Sequence, residues 1–444
     1  MKKLRRFAIV LLTVALTALL LTACGGGGGG GGSSSGGSNK PSSTTPTNPD
    51  KPGGSGSKDD PTTPEEYPKT WADSKTKKYF LGKGISETNY YVTFNAPMYG
   101  NAHATYAISG DKSAADVEMT EDGQTSHSKC ILDGSGNSIY IYYDKQSVTI
   151  EKGESAEMSD LRAFVMIPTT SNVISMTAAD ATYEGNDYYM ESIKINARIE
   201  GQKMTGTWDY LYQNNELKYI IAPEFLYGIA SQIESISANP PASFFELPKA
   251  DWSSDVTRTS SYLKSNGITV QRFYFEGKSL GSNNENRNVS DIVCTVDGIK
   301  GYYSEIYPNQ EPTADYMAKS GEVYHLYEQQ KKYCREKYST DYYEENIRTA
   351  GQRLDFSVIS NYTSKSSGIY TEGTARYYAE TFTTRTAQNG HERYTFVFDG
   401  NKLKYIIINM YKNYSGEKIA VTELTGIPNT KLLKIPEDYT EMSY

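Results

Sequence analysis

Leu217-Lys218-Tyr219-Ile220-Ile221 recurs letter for letter as Leu403-Lys404-Tyr405-Ile406-Ile407, 186 residues further on. Tyr188-Tyr189-Met190-Glu191 is echoed by Tyr377-Tyr378-Ala379-Glu380 at a spacing of 189, Leu247-Pro248 by Ile435-Pro436 at 188, and Tyr143-Asp144 by Tyr327-Glu328 at 184. Chance matches would scatter in spacing, whereas these agree within five residues. A period this long is not that of a solenoid and reads as a duplicated domain of about 185 residues.

The repeated unit has a physical reading. One strand before the repeated string, the same spacing pairs Trp208 with Tyr394, Tyr210 with Phe396 and Tyr212 with Phe398. Each set alternates along the chain, which puts three aromatic rings on one side of a strand. After a turn, Leu217, Tyr219 and Ile221 alternate in the same way, as do Leu403, Tyr405 and Ile407. Asp399-Gly400 is a strong hairpin signal, and Asn214-Asn215 tolerates the positive φ that the same turn needs. Each half therefore holds a hairpin with one apolar, aromatic-rich face. The six aromatics Trp208, Tyr210, Tyr212, Tyr394, Phe396 and Phe398 form a candidate wall for an apolar ligand, unless helices or a second sheet cover them.

Helical stretches are few and short. Residues 70–80 and 255–264 each precede a strand-like run, at 90–94 and 269–275, and 157–165 and 342–350 are further candidates. The expected fold class is β-rich α+β: two tandem duplicated domains, at 70–252 and 253–444, each a curved antiparallel sheet with a few short helices. Tyrosine fits this reading. All 38 lie beyond residue 66, and Tyr suits a pleated, half-buried surface.

The shared order is helix, several strands, a short crossing, a hairpin and a last strand containing proline. It resembles the LolA and LppX group of bacterial lipoproteins and lipoprotein carriers. The likeness is carried by Tyr-Tyr-x-Glu, by Leu-Lys-Tyr-Ile-Ile, and by the closing Phe245-Glu246-Leu247-Pro248 and Leu433-Lys434-Ile435-Pro436. It implies a curved sheet wrapped around helices and an apolar cavity, hence lipid handling. This chain differs from the soluble carriers in having two copies and an anchor of its own.

The N-terminus supplies the address. Lys2, Lys3, Arg5 and Arg6 precede an apolar run from Phe7 to Leu20, and Leu21-Thr22-Ala23-Cys24 follows. Basic, then apolar, then small residues make a secretory signal over residues 1–23. The cysteine at its end is similar to the lipobox of bacterial lipoproteins, which implies an acyl group such as palmitate on Cys24 and a mature protein held on the outer side of the cell membrane. The apolar run is shorter than the roughly 20 residues that a span requires. Residues 24–69 are mostly Gly, Ser, Thr, Pro, Asn, Asp and Lys, a composition that cannot bury enough apolar area to offset chain entropy. They read as a disordered tether spanning on the order of 35–40 Å.

Without the signal, 41 basic side chains face 53 acidic ones, a balance of −12. Such a surface repels phosphate backbones, so no nucleic-acid partner is expected. Beyond Cys24 there remain Cys130, Cys294 and Cys334, with no Cys-x-x-Cys spacing; Cys294 and Cys334 could pair.

His103, His127, His325 and His391 are not spaced as metal ligands. Ser261-x-x-Lys264 with Lys319-Ser320-Gly321 matches two motifs of penicillin-recognising enzymes but lacks the helical domain that would hold the nucleophile. Asp133-Gly134-Ser135-Gly136-Asn137 departs from a calcium loop at Ser138 and reads as a hairpin turn. Glu191 and Glu380 are expected to face solvent from their strands. No catalytic residue, metal or cofactor is expected. The expected function is non-enzymatic: binding or carrying an apolar or lipid-like ligand in the concave sheet faces. The alternative is a cell-surface module that binds glycan or protein through Tyr-rich sheet faces.

Overall fold

The computed structural model describes residues 67–96, 101–121, 123–152, 164–199, 202–222, 230–282, 289–317, 322–337, 354–386, 390–410 and 416–442. Cys24, the signal and almost all of the tether lie outside the described residues, as do most of the expected helix at 157–165 and all of that at 342–350.

Strands dominate. The first half contributes β1 (Asn89–Ala96), β2 (Asn101–Ser109), β3 (Lys112–Glu121), β4 (Gln124–Leu132), β5 (Asn137–Tyr142), β6 (Ser147–Lys152), β7 (Val173–Tyr183), β8 (Asn186–Ile199), β9 (Gln202–Gln213), β10 (Glu216–Ile221) and β11 (Ala230–Ser237). The second contributes β12 (Arg272–Ser282), β13 (Ser290–Asp297), β14 (Lys300–Ile306), β15 (Thr313–Met317), β16 (Glu322–Tyr327), β17 (Lys332–Lys337), β18 (Ser364–Glu372), β19 (Ala375–Thr386), β20 (Gly390–Asp399), β21 (Lys402–Met410), β22 (Gly416–Thr425) and the two-residue β23 (Thr440–Glu441). Two α-helices of eight residues each, α1 (Lys75–Gly82) and α2 (Arg258–Ser265), precede β1 and β12. Among the described residues no helix is long and apolar enough to cross a membrane.

Neighbour pairings run β7-β8-β9-β10-β11-β1-β2-β3-β4-β5-β6 in the first half. In the second half they run β18-β19-β20-β21-β22-β12-β13-β14-β15-β16-β17, the same order with every strand advanced by eleven. The irregularities coincide as well. The β1–β11 pairing slips between Thr93 and Phe94, and the β12–β22 pairing between Glu276 and Gly277. Separate sheets were expected, but β6 and β18 pair antiparallel from Ser364↔Glu151 to Gly368↔Ser147, joining everything into one 23-stranded sheet. An unpaired strand edge is a row of open hydrogen-bonding groups, and the two edges satisfy each other.

The cores follow the two halves with one exchange. Tyr90, Val92, Phe94, Ile193, Ile195, Trp208, Tyr210 and Tyr212 pack with Phe80 of α1. Phe273, Phe275, Phe382, Tyr394, Phe396 and Phe398 pack with Leu263 of α2, and into this second cluster come Ile131, Ile141, Val148 and Ile150 from the first half. The seam is thus a shared core as well as a shared ladder.

Candidate functional site

The hairpin β9–β10 turns at Asn214 and Asn215, whose φ values of 52° and 64° are the left-handed pair that its two-residue turn requires. One step later the chain departs from plain alternation. The β9–β10 register slips between Leu217 and Tyr219, and β20–β21 slips at the equivalent place, where Val397 meets Tyr405 and Phe398 meets Leu403. One extra residue in a strand turns every following side chain to the other face. Leu217 and Ile220 therefore enter the core, while Tyr219 points outward with Tyr188 and Tyr183. The expectation that Leu217, Tyr219 and Ile221 share one face, and Leu403, Tyr405 and Ile407 another, is corrected by this bulge: Leu403 and Ile406 are core, and Tyr405 and Ile407 belong to an outer cluster.

The six aromatics of the candidate ligand wall all face inward and are all buried, from 0% exposure at Trp208 and Tyr210 to 4% at Tyr394. Their neighbours are the protein's own side chains. Tyr79 meets Tyr212 edge-on at 5.5 Å, Phe80 meets Tyr210 at 6.2 Å, and Tyr262 of α2 meets Phe398 at 5.8 Å. Tyr210 donates to the Met166 carbonyl and Tyr212 to Thr76 Oγ1. Among the described residues, the short helices are seated where a bound ligand was expected.

The two repeated glutamates were expected to face solvent; both are fully buried. Glu191 accepts from the backbone N–H of Lys75 at 2.7 Å and of Thr76 at 2.8 Å, and from the Tyr189 hydroxyl at 2.8 Å. Glu380 accepts from Arg258 N at 2.9 Å, Thr259 N at 2.7 Å and the Tyr378 hydroxyl at 2.8 Å. Each carboxylate lies at the start of a helix, where orphan N–H groups and the helix dipole favour negative charge. In Tyr-Tyr-x-Glu the second Tyr and the Glu share the inner face because they are two apart in a strand, so the motif is a pin that fastens a helix to the sheet. Burial, and then the carboxylate beside it, pushes the Tyr189 and Tyr378 hydroxyls well above the usual phenol range.

The outer face of the first half carries a groove of about 390 Å³, lined by Asn95, Tyr188, Gln213, Lys218, Tyr219, Gln232, Ile233 and Glu234. Tyr188 and Tyr219 stand perpendicular at 5.8 Å, and Tyr183 meets Tyr219 at 5.0 Å. The Tyr219 hydroxyl donates to Glu184 at 3.3 Å, and its pKa is pushed up to about 12, first by burial and then by that carboxylate. Asn95 is held from both sides, its amide nitrogen donating to Glu234 at 2.6 Å and its oxygen meeting His103 at 3.0 Å. In the second half, Tyr377 and Tyr405 take the places of Tyr188 and Tyr219, but two lysines cover them. Lys404 lies 3.9 Å from the Tyr377 ring centre and Lys418 lies 3.9 Å from that of Tyr405. Lys418 also pairs with Glu372, and Tyr405 donates to the same carboxylate.

The remaining candidates disperse. His127 bonds Asp116 at 2.6 Å and stacks on Tyr143; His325 bonds Asp315 at 2.7 Å. His391 lies in β20, and among the described residues no three of His, Cys, Asp and Glu converge as a metal would need. Cys130, Cys294 and Cys334 are not joined by disulfides. Asp133 accepts from the N–H groups of Ser135 and Asn137, making 133–137 the turn between β4 and β5. Ser261 and Lys264 are exposed on α2, and Lys319-Ser320-Gly321 lies outside the described residues.

No protein family matches the sequence, and no curated protein does. A crystal structure of an uncharacterized conserved protein from Thermus thermophilus is 7% identical, with a TM-score of 0.26 over 43% of this chain and 99% of that one. The crystal structure of MucB is 9% identical, with a TM-score of 0.21 over 53% of this chain and 80% of that one. MucB in complex with MucA(peri) has a TM-score of 0.14 over 81% and 96%. Similarity this slight transfers neither activity nor partner.

Proposed function

We propose that this is a non-enzymatic, lipid-tethered protein of the extracytoplasmic cell envelope, built from two tandem copies of one LolA/LppX-like unit, that binds extended glycan through the outer face of its first half. The observation that carries the reading is the Tyr219 groove. Its 390 Å³ falls in the range of small-molecule sites. Tyr219, half-buried and braced edge-on by the buried Tyr188, offers an apolar ring beside a hydroxyl, the combination that suits the mixed faces of a sugar. Gln213, Lys218, Gln232 and Glu234 add donors and acceptors around those rings. The apolar-carrier reading draws less support, because the inner walls are filled by α1 and α2.

Co-sedimentation with insoluble cell-wall glycan, followed by titration with soluble fragments, tests the proposal. Tyr219→Ala combined with Gln232→Ala should weaken binding about tenfold, one stacked ring and one hydrogen bond together contributing roughly 1.5 kcal/mol. Unchanged binding by that variant would overturn the groove assignment. A lipid co-purifying in stoichiometric amount, seen by native mass spectrometry, would return the carrier reading to first place.

A further inference from the structure

The seam between the halves is a strand-edge joint of a particular kind, and the molecule carries the same two edges again at its ends. Within the chain, β6 joins β18. Advancing by eleven strands, β17 is the edge that corresponds to β6, and β7 is the edge that corresponds to β18. Among the described residues, β7 pairs on one side only, with β8. We propose that β7 of one molecule pairs with β17 of a second copy in the register of the internal seam, so that the chain assembles head to tail.

The register follows from the hairpins. Tyr183↔Asn186 closes β7–β8 as Glu372↔Ala375 closes β18–β19, and Tyr327↔Lys332 closes β16–β17 as Tyr142↔Ser147 closes β5–β6. The internal pair Gly368↔Ser147 therefore maps onto Ala179 and Lys332, and Ser367↔Val148 onto Ala178 and Tyr333. One step further, Asp180, to which the Tyr67 side chain hydrogen-bonds, falls opposite Lys331, which pairs with Asp438 until the C-terminal strap leaves. The charges agree in general: β17 carries Lys332, Arg335 and Lys337 against one glutamate, while β7 has Asp180 as its single charged residue. Nor does β7 carry the lysine or proline with which natural proteins blunt an open edge. A Cβ on Gly368 would stand 3.2 Å from that of Ser147, so Ala179 in its place asks for an adjustment of a few tenths of an ångström.

One element stands in the way. β23 lies parallel on the β17 edge through two residue pairs, with Thr440 N donating to Lys331 O at 3.0 Å and Met442 N to Tyr333 O at 2.7 Å. Thr440 and Glu441 are both exposed. The strap is short but anchored, by Tyr439 buried in a cluster with Tyr302 and Tyr316, by Asp438 on Lys331 and by Glu441 on Arg335, and assembly is gated by the release of those contacts. Because an interface of two different edges repeats without closing on itself in pairs, the product is a chain or a ring rather than a two-fold dimer.

The test uses the detergent-solubilised full chain. Ala179→Cys and Lys332→Cys, prepared separately and mixed, should cross-link to each other on mild oxidation. Gly368→Cys with Ser147→Cys, in one chain, is the positive control for that geometry. In sedimentation velocity, Thr440→Pro removes one strap hydrogen bond, worth about 1 kcal/mol, and should tighten association roughly fivefold. Asp180→Lys should weaken association and Lys331→Asp should rescue it, while thermal unfolding of each variant confirms that it folds. The proposal is overturned if the mixed variants stay monomeric while the control forms its bond. It is equally overturned if Ala179→Cys links only to itself, or if Thr440→Pro leaves association unchanged. Capture of an extended foreign peptide by β7, without any self-association, would assign that edge to another partner.

Discussion

Replacing Glu191 by glutamine keeps the side chain's shape and removes its ability to accept through both terminal atoms. In the native fold one oxygen takes Lys75 N–H and the Tyr189 hydroxyl, and the other takes Thr76 N–H. The amide NH₂ of Glu191→Gln must face at least one of those backbone donors, leaving it buried and unpaired. A charge-assisted bond is worth roughly 1.5–3 kcal/mol and an orphaned buried donor costs about 1–3 kcal/mol, so a net loss of about 2–4 kcal/mol is expected. Glu380→Gln should cost the same, since Arg258, Thr259 and Tyr378 repeat the arrangement. Urea unfolding followed by tryptophan fluorescence reads both, because Trp208 reports from the first core and Trp252 from the second. Glu216→Gln, at a largely exposed position, is the control and should stay within about 0.5 kcal/mol of the parent. A loss below about 0.5 kcal/mol for both Glu191→Gln and Glu380→Gln would show that these carboxylates do not pin the helices.

Ile141 belongs to the first half by sequence but is fully buried in the second core, so Ile141→Ala should cost about 2–5 kcal/mol and move the transition reported by Trp252; an effect confined to Trp208 would refute the shared core. Gly277 sits at the β12 bulge, where an added Cβ would lie 2.6 Å from the Ala420 carbonyl oxygen, and Gly277→Ala is expected to destabilise by about 1–3 kcal/mol in the same assay. The hydrogen bond that His325 donates to Asp315 raises the His325 pKa above its ordinary value, with Glu336 adding to it. A raised pKa in the folded state means stability that is fully present below the unfolded value near 6.5 and is lost as pH rises through the folded value. His325→Gln should therefore lose more stability, relative to the parent, at pH 5 than at pH 8; equal losses at both would remove the charge from the explanation.

How far the residues announced this fold can be judged at particular positions. Strand content, the hairpin turns, the helices before β1 and β12 and the inward ranks of Trp208, Tyr210 and Tyr212 follow from alternation and turn chemistry, because those signals are local. The bulge at Lys218 and Lys404 was not legible: a single inserted residue has no compositional mark, yet it decides that Tyr219 leaves the core. Glu191 and Glu380 were misread because a carboxylate in a strand is ordinarily solvated, and their partners, the N–H groups of Lys75 and Arg258, lie more than a hundred residues earlier. The recurrence of one acid at one place in both halves, each of which opens with a helix, is the sequence signal for that role. The β6–β18 seam was likewise invisible, since Ser-Lys-Ser-Ser-Gly and Ser-Val-Thr-Ile-Glu are not a recognisable pair until the sheet brings them together.

The two outer faces differ where the two cores agree. Inside, equivalent rings, equivalent caps and equivalent bulges fill the space in both halves, and a change there costs the fold itself. Outside, Ala230 pairs with Ile221 where Lys418 pairs with Ile407, so the lysine over Tyr405 has no counterpart on β11. Over Tyr405 an ammonium at 3.9 Å occupies the ring face that a ligand would need. On the first half Gln232 lies opposite Tyr219, and both line the groove. Lys418→Ala together with Lys404→Ala should therefore uncover Tyr405 without disturbing the inner core, since both ammonium groups lie over its ring. If a second glycan site then appears by titration, the lysines are what keep that face closed; unchanged stoichiometry would refute that role.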